Sequence, residues 1–134
     1  ISRISALSIS HADSDHSGGL QYLVDNFIVD EIWDNGRIDY PSAISEKLNI
    51  RSLQRGDIIY GRDYSIVVLH PYEDFYSMHS DTVDENNGSL VLRISGKSNT
   101  FLFTADIEEE GEDDLYHLGD YLKSDIMKIP LISR

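Results

Sequence analysis

A short apolar run followed by a loop of histidines and aspartates constrains this chain more than any other feature. Ala6 to Ile9 has the composition of a strand, and it leads directly into the polar loop His11 to His16. Two glycines follow, and apolar residues then recur at the spacing of one helix face, at Leu20, Leu23, Val24 and Phe27. A strand, a polar loop and a helix in this order place polar side chains at the carboxyl end of a strand. The sequence therefore predicts an α/β domain with a polar site on this loop.

The loop carries the ligand types that divalent metals prefer, since imidazole and carboxylate suit zinc, manganese or iron. Four such residues fall within six positions: His11, Asp13, Asp15 and His16. Such a cluster can hold two cations about 4 Å apart, which clamp the attacking and leaving oxygens of a displacement at phosphorus or at a carbonyl. Asp106 follows another predicted strand and is the expected bridging carboxylate. The alternative for any one of these residues is a solvent-facing turn former.

The rest of the chain predicts strands alternating with short helices. Strands are predicted from apolar or alternating runs at Ile28–Trp33, Ile58–Tyr60, Tyr64–Leu69, Ser89–Ile94, Thr100–Thr104 and Asp125–Ile129. A short helix is predicted after Pro41, and a longer one over Gly111–Leu122. The segment Tyr72–Gly88 shows little periodicity and is predicted to be a long polar loop.

The other histidines are weaker ligand candidates. His70 precedes Pro71 and is interpreted as a loop residue rather than a ligand. His79 lies in the irregular segment, and His117 is predicted to lie exposed within a helix. The candidate metal site thus depends on the first loop and on Asp106.

Composition excludes several function classes. A chain of 134 residues has the length of one domain, and the absence of cysteine excludes disulfides and thiolate metal sites. No apolar run reaches the ~18 residues of a membrane span, and no signal-peptide pattern is present. The formal net charge of −13 argues against a free-standing nucleic-acid binder, because phosphate contacts need a basic surface. A polyanionic substrate would need divalent cations or another domain to supply positive charge.

Several segments together resemble one protein family. His11–Leu20 is similar to the signature of metallo-β-lactamase-fold hydrolases, H-x-H-x-D-H followed by a glycine pair, with Asp13 in place of the middle histidine. That variation resembles one branch, the soluble domain of ComEC-type DNA-uptake membrane proteins of bacterial competence. Three further segments are similar to the same branch: Val67–Pro71, Asn86–Ile94 and Phe101–Glu108.

The resemblance implies a fold, a metal site and a reaction. The implied fold is a partial metallo-β-lactamase αββα sandwich, of α/β (α+β) class, over residues 1–134 as a single domain. The implied metal ligands are His11, Asp13, Asp15, His16 and Asp106, which would hold two zinc or manganese ions in a complete domain, with Asp15 and His16 at the catalytic centre. The implied reaction is hydrolysis of a phosphodiester, such as single-stranded DNA, beside the membrane channel of an uptake protein. The domain itself would be soluble and extracytoplasmic.

The chain departs from the family pattern at several places. Ala105 stands where a glycine is expected before Asp106, and Asn86 or Asn87 lies where β-lactamases carry a third histidine motif. The opening strands and a His-His-Gly-Ser segment after the last strand are not found, and the chain begins at Ile1, so we expect a fragment with an incomplete site. Two alternatives stay open: a small-molecule metallohydrolase of the same fold, and a degenerate, non-catalytic interaction domain.

Overall fold

The chain folds into two β-sheets with helices on their outer faces, in a computed structural model that describes residues 2–12, 17–79 and 85–128. The strands along these residues are β1 (Arg3–Ser8), β2 (Ile28–Asp34), β3 (Asn49–Ser52), β4 (Ile58–Tyr60), β5 (Ser65–His70), β6 (Val91–Ser95), β7 (Thr100–Phe103) and β8 (Ile126–Lys128). The helices are α1 (Ser17–Asn26), α2 (Ser42–Ser45), α3 (Phe75–His79) and α4 (Glu109–Tyr116). Single 3₁₀ turns lie at Glu85–Gly88 and Gly119–Leu122.

The two sheets differ in strand direction. β1, β2 and β3 form a parallel sheet in that order, with α1 and α2 as the crossover connections that parallel strands require. The strands from β4 to β8 form a second sheet in chain order. Its first four strands are antiparallel, and β8 runs parallel to β7. The last strand therefore ends beside the end of β7, which decides the surroundings of the candidate site.

Three apolar clusters determine the order of the layers. One lies between the two sheets and consists of Trp33, Leu53, Ile66, Val68, Leu90 and Leu92. A second packs the parallel sheet against α1 and α2 around Ile32 and Ile44. A third packs the mixed sheet against α4, with Leu102 and Leu115 at its centre. The resulting order of helix, sheet, sheet and helix confirms the predicted αββα architecture and α/β class.

Elements with a strong periodic pattern are confirmed. The apolar stripe after the glycine pair forms α1, and Leu20 packs against the parallel sheet. Along β6 and the residue before it, Leu90 and Leu92 face the other sheet, whereas Val91 faces α4. This is the alternation of a strand with both faces covered.

Two predictions of local structure are wrong because tertiary contacts decide the local conformation. The described part of Tyr72–Gly88 is not an irregular loop throughout, since α3 forms there around Phe75, which is fully buried. Gly111–Leu122 is not one helix, because Gly119 has φ of 51° and separates α4 from a 3₁₀ turn. The short β3 is also missing from the sequence prediction, since its pairing with β2 is non-local.

Within the described ranges no helix combines the length and the apolar composition needed to cross a bilayer, and α1 has only ten residues.

Candidate metal centre

The loops that follow β1 and β7 bring His11 and Asp106 together from different sheets. His11 Nε2 lies 3.5 Å from Asp106 Oδ2. The other three predicted ligands, Asp13, Asp15 and His16, lie outside the described residues. The structure thus joins the two predicted ligands that are most distant along the chain.

His11 is held in a fixed orientation by its neighbours. Its side chain is 1% exposed, and its Nδ1 shares a hydrogen bond of 2.8 Å with Ser10 Oγ. The adjacent backbone is tied to both sheets, because Ile9 N donates to Trp33 O and Leu90 N donates to Ser10 O. Metal-binding histidines usually have their second ring nitrogen held by a hydrogen bond in this way. The ring of His11 is therefore oriented with Nε2 toward Asp106.

Asp106 lies in a tight turn at the carboxyl end of β7. The turn is closed by Ile107 N, which donates to Thr104 O at 3.2 Å. Ala105, at the second position of the turn, has φ of 52°, a conformation that glycine adopts at lower cost. The backbone here therefore keeps a glycine-like conformation although the residue is alanine. The Asp106 side chain is 39% exposed, so it is accessible at the surface of the site.

Lys128 is a site residue that the sequence analysis missed. Its Nζ donates to Ala105 O at 2.8 Å and lies 3.6 Å from Asp106 Oδ1. The two oxygens of Asp106 therefore face different groups, His11 on one side and an ammonium on the other. Lys128 reaches this position because β8 pairs in parallel with β7, which places it opposite Phe103. A local sequence pattern carries no signal for this pairing.

The chemistry and spacing of His11 and Asp106 fit a shared divalent metal ion. Two ligands that each lie about 2.1 Å from a tetrahedral ion are about 3.4 Å apart, close to the 3.5 Å found here. Within the described residues no group of three His, Asp or Glu side chains could hold a metal ion. The described part of the chain therefore supplies two ligands of a candidate site.

Histidines elsewhere in the described structure have other surroundings. His70 is the last residue of β5 rather than a loop residue, so that prediction is wrong. It is fully buried, its Nε2 donates to Asn87 O at 2.6 Å, and its ring packs on Phe75. His117 is exposed, as predicted, but it follows the last residue of α4 instead of lying within a helix, and the side chain of His79 lies outside the described residues.

A cavity of about 680 Å³ opens beside His11, between β1, α1 and the segment that leads into α2. Its walls include Leu20, Leu23 and Tyr40, and Arg37 contributes a cation. The guanidinium of Arg37 donates to Glu85 Oε1 at 3.1 Å and stacks over the Tyr76 ring at 4.1 Å. Burial, followed by the charge of Glu85, raises the pKa of Tyr76 to about 12. This tyrosine therefore stays neutral near physiological pH beside the guanidinium.

Asp34 fixes the Tyr40 wall of the cavity. Its Oδ2 accepts a hydrogen bond of 2.6 Å from Tyr40 Oη, and its Oδ1 accepts bonds from Gly36 N and Ser52 Oγ. The carboxylate is 2% exposed, and burial together with this carboxylate raises the pKa of Tyr40. The three donors explain how a buried carboxylate is tolerated at the end of β2.

A sequence model of the metallo-β-lactamase superfamily matches residues 1–129. The chain belongs to the metallo-β-lactamase superfamily. The two-sheet architecture and the position of the His11 loop after the first strand agree with the fold expected from the sequence.

Comparison with individual proteins confirms the predicted resemblance to ComEC-type proteins. The chain is 28% identical over 137 residues to ComE operon protein 3 of Bacillus subtilis strain 168, a ComEC-type competence protein, and the match covers 96% of this chain. It spans only 17% of that relative's length. A mutant of CmlA beta-hydroxylase matches in fold, with a TM-score of 0.54, 16% identity, and coverage of 80% of this chain and 22% of that chain. The metallo-β-lactamase fold protein YhfI from Bacillus subtilis matches with a TM-score of 0.41, 17% identity, and coverage of 80% of this chain and 43% of that chain.

Proposed function

We propose that this chain is a metal-dependent phosphodiesterase domain that acts on single-stranded DNA in a competence protein. The observation that carries the proposal is the 3.5 Å approach of His11 Nε2 to Asp106 Oδ2. Superfamily membership and the similarity to ComE operon protein 3 support it. The proposed protein is membrane-associated, with this domain outside the cytoplasm and beside the channel that imports DNA.

The proposed site uses His11 and Asp106 as ligands, together with the adjacent loop residues Asp13, Asp15 and His16. Ser10 holds the His11 ring, and the turn at Ala105 presents the Asp106 carboxylate. Zinc or manganese ions held by these residues would supply activation of a water molecule and positive charge to offset that of the phosphate. Asp15 and His16 are proposed to lie at the reacting centre.

Charge and cavity shape favour a phosphodiester with an apolar portion. A chain with a net charge of −13 needs local positive charge to approach a phosphate. Lys128 at Asp106 and Arg37 in the cavity wall are each paired with a carboxylate, so bound metal ions would supply the net positive charge. The volume of about 680 Å³ lies within the range of ligand pockets, and mainly apolar walls suit a nucleobase or sugar.

Metal titration and nuclease assays on the purified protein test the proposal. We expect stoichiometric zinc or manganese binding and metal-dependent cleavage of a labelled single-stranded oligonucleotide. His11→Ala and Asp106→Ala should each lower metal affinity and cleavage rate by more than about 100-fold, since outer-shell changes alone cost 10–100-fold. Asp15→Ala and His16→Ala should abolish cleavage. His117→Ala, which changes an exposed histidine at the end of α4, is the matched control and should leave both measurements unchanged.

The outcome also separates the proposal from its alternatives. Absence of divalent-metal binding in the wild-type protein would refute the metal-dependent reaction. Activity on nucleotides or esters, without cleavage of DNA chains, would select a small-molecule metallohydrolase.

A non-catalytic interaction domain is the second candidate, and one observation favours it. The ammonium of Lys128 lies 3.6 Å from Asp106 Oδ1, so the carboxylate is partly neutralised by the chain itself. A domain in which lysine neutralises this carboxylate can keep its fold without a bound metal. Titration with zinc and manganese decides between the two, because a degenerate domain would bind neither.

A further inference from the structure

We propose that Asn87 is a positioning residue that sets the separation between His11 and Asp106. This inference depends on the proposed function, in which those two side chains bind the same metal site. The hydrogen bonds on which the inference rests join Asn87 to other residues, not to His11 or Asp106. It acts instead on the chain segments that precede His11 and follow Asp106.

The first contact holds the loop of Asp106. Asn87 Oδ1 accepts hydrogen bonds from Glu108 N at 2.8 Å and from Gly111 N at 3.1 Å. These amides belong to the start of α4, where Glu108 occupies the N-cap position without a side-chain cap bond of its own. Asn87 therefore caps the helix from a distant segment. Because Glu108 lies two residues after Asp106, the cap also anchors the turn that presents the Asp106 carboxylate.

The second contact holds the loop of His11 and comes from the same segment. Three residues after Asn87, Leu90 N donates to Ser10 O at 2.7 Å. Ser10 precedes His11 and shares a hydrogen bond with its Nδ1. The four residues from Asn87 to Leu90, which we call the brace, thus connect the loops that carry the two ligands.

The brace is itself fixed by buried contacts. Asn87 is 1% exposed, and its carbonyl accepts the 2.6 Å bond from His70 Nε2. The next carbonyl, of Gly88, accepts a bond of 2.8 Å from Asn35 Nδ2 at the end of β2. A Cβ added at Gly111 would lie 3.0 Å from Asn87 O and closer still to Ile107, so glycine permits this approach of α4. Metal sites tolerate errors of only a few tenths of an ångström in ligand position, so a shift of the brace should lower metal affinity.

A simple helix-capping role makes a different prediction. A cap stabilises α4, but its loss would leave the surroundings of His11 unchanged in the molecules that remain folded. A positioning role requires that changes at Asn87 reach His11, on the other sheet. The environment of His11 therefore distinguishes the two roles.

Two measurements on the purified protein test the inference. The first is the imidazole nitrogen chemical shift of His11 in metal-free, histidine-labelled protein, assigned with His11→Ala. The second is zinc affinity, measured by chelator competition. Asn87→Ala should move the His11 resonance and weaken zinc binding by about 10- to 100-fold, the range of outer-shell substitutions. Asn87→Asp keeps an oxygen acceptor for both amides and should restore both measurements.

The matched control is Val29→Ala, which removes buried volume from the cluster between the parallel sheet and its helices, a cluster that contains no residue of the brace. It should lower stability and leave the His11 resonance and zinc affinity at wild-type values. If Asn87→Ala fails to fold, Asn87→Leu, which has a similar volume and no side-chain acceptor, takes its place with the same expected result. An unchanged His11 resonance and zinc affinity in the folded variant would overturn the inference. If the wild type binds no zinc, the proposed function fails, while the His11 resonance still decides the positioning role.

Discussion

Replacing Ala105 with glycine tests whether the turn before Asp106 stores backbone strain. Ala105 has φ of 52°, in the left-handed region, where an L-residue pays about 1–2 kcal/mol. Glycine avoids this cost but adds about 0.4–1 kcal/mol of conformational entropy to the unfolded chain. The difference predicts that Ala105→Gly increases the free energy of unfolding by about 0.8 kcal/mol, with a rise in Tm of roughly 3 °C for a domain of this size.

A second alanine provides the control. Ala43 is exposed in α2. It does not have the positive φ that, among the non-glycine residues of the described ranges, is found at Ala105. Ala43→Gly should therefore lower the free energy of unfolding by about 0.5–1 kcal/mol, the usual cost of glycine in a helix. Urea denaturation of both variants, with equal m-values, measures the two changes in the same assay.

The opposite signs of the two changes make the test decisive. The bond from Lys128 Nζ to Ala105 O uses the backbone carbonyl, so it survives the substitution. If Ala105→Gly destabilises the protein as much as Ala43→Gly does, the turn is unstrained and the reasoning is refuted.

Three further predictions concern charged groups of the site and its cavity and two partly buried tyrosines. Lys128→Met removes an ammonium 3.6 Å from Asp106 Oδ1 and should strengthen zinc binding by up to about fivefold, the size expected for loss of a partly exposed ion pair. Lys128→Arg keeps the charge and should leave zinc affinity unchanged. Weaker zinc binding by Lys128→Met in chelator competition would contradict the prediction. Asp34→Ala removes an acceptor of three hydrogen bonds and should lower the free energy of unfolding in urea by about 3 kcal/mol, and a loss below about 1 kcal/mol would count against its role. Burial raises the pKa of Tyr76 to about 12 and also raises the pKa of Tyr40. Both tyrosines therefore contribute their full stabilisation of the folded state below about pH 10, which is the pKa of tyrosine in the unfolded chain. Stability should fall as pH rises from about 10 toward 12, and Tyr76→Phe should reduce the slope of the urea midpoint against pH over that range.

Secondary-structure elements whose buried face follows from a local sequence pattern could be predicted. The stripe that forms α1 and the alternation of β6 reflect side chains that face one layer each, and periodicity reports this directly. The break at Gly119 and the helix at Phe75 could not be predicted in this way. Both depend on what the segment packs against, since a buried aromatic can order residues whose own pattern is irregular.

The candidate site likewise contains features that are local in sequence and features that depend on non-local contacts. The positions of His11 and Asp106 after strands are visible in the sequence, because strand ends are local features. The roles of Lys128 and Asn87 are not, because they depend on the parallel pairing of β8 and on hydrogen bonds that span 21 and 24 residues. Sequence patterns carry no distance information across such separations.

The sequence alone determined the superfamily and the elements with a strong periodic pattern, and it supplied the candidate ligands, since each follows from residue types at short spacing. Only the tertiary structure decided which groups meet at the site. The 3.5 Å between His11 and Asp106 and the ammonium on the far side of the carboxylate arise from the way two sheets pack face to face. That packing is a property of the whole core, so no single segment encodes it.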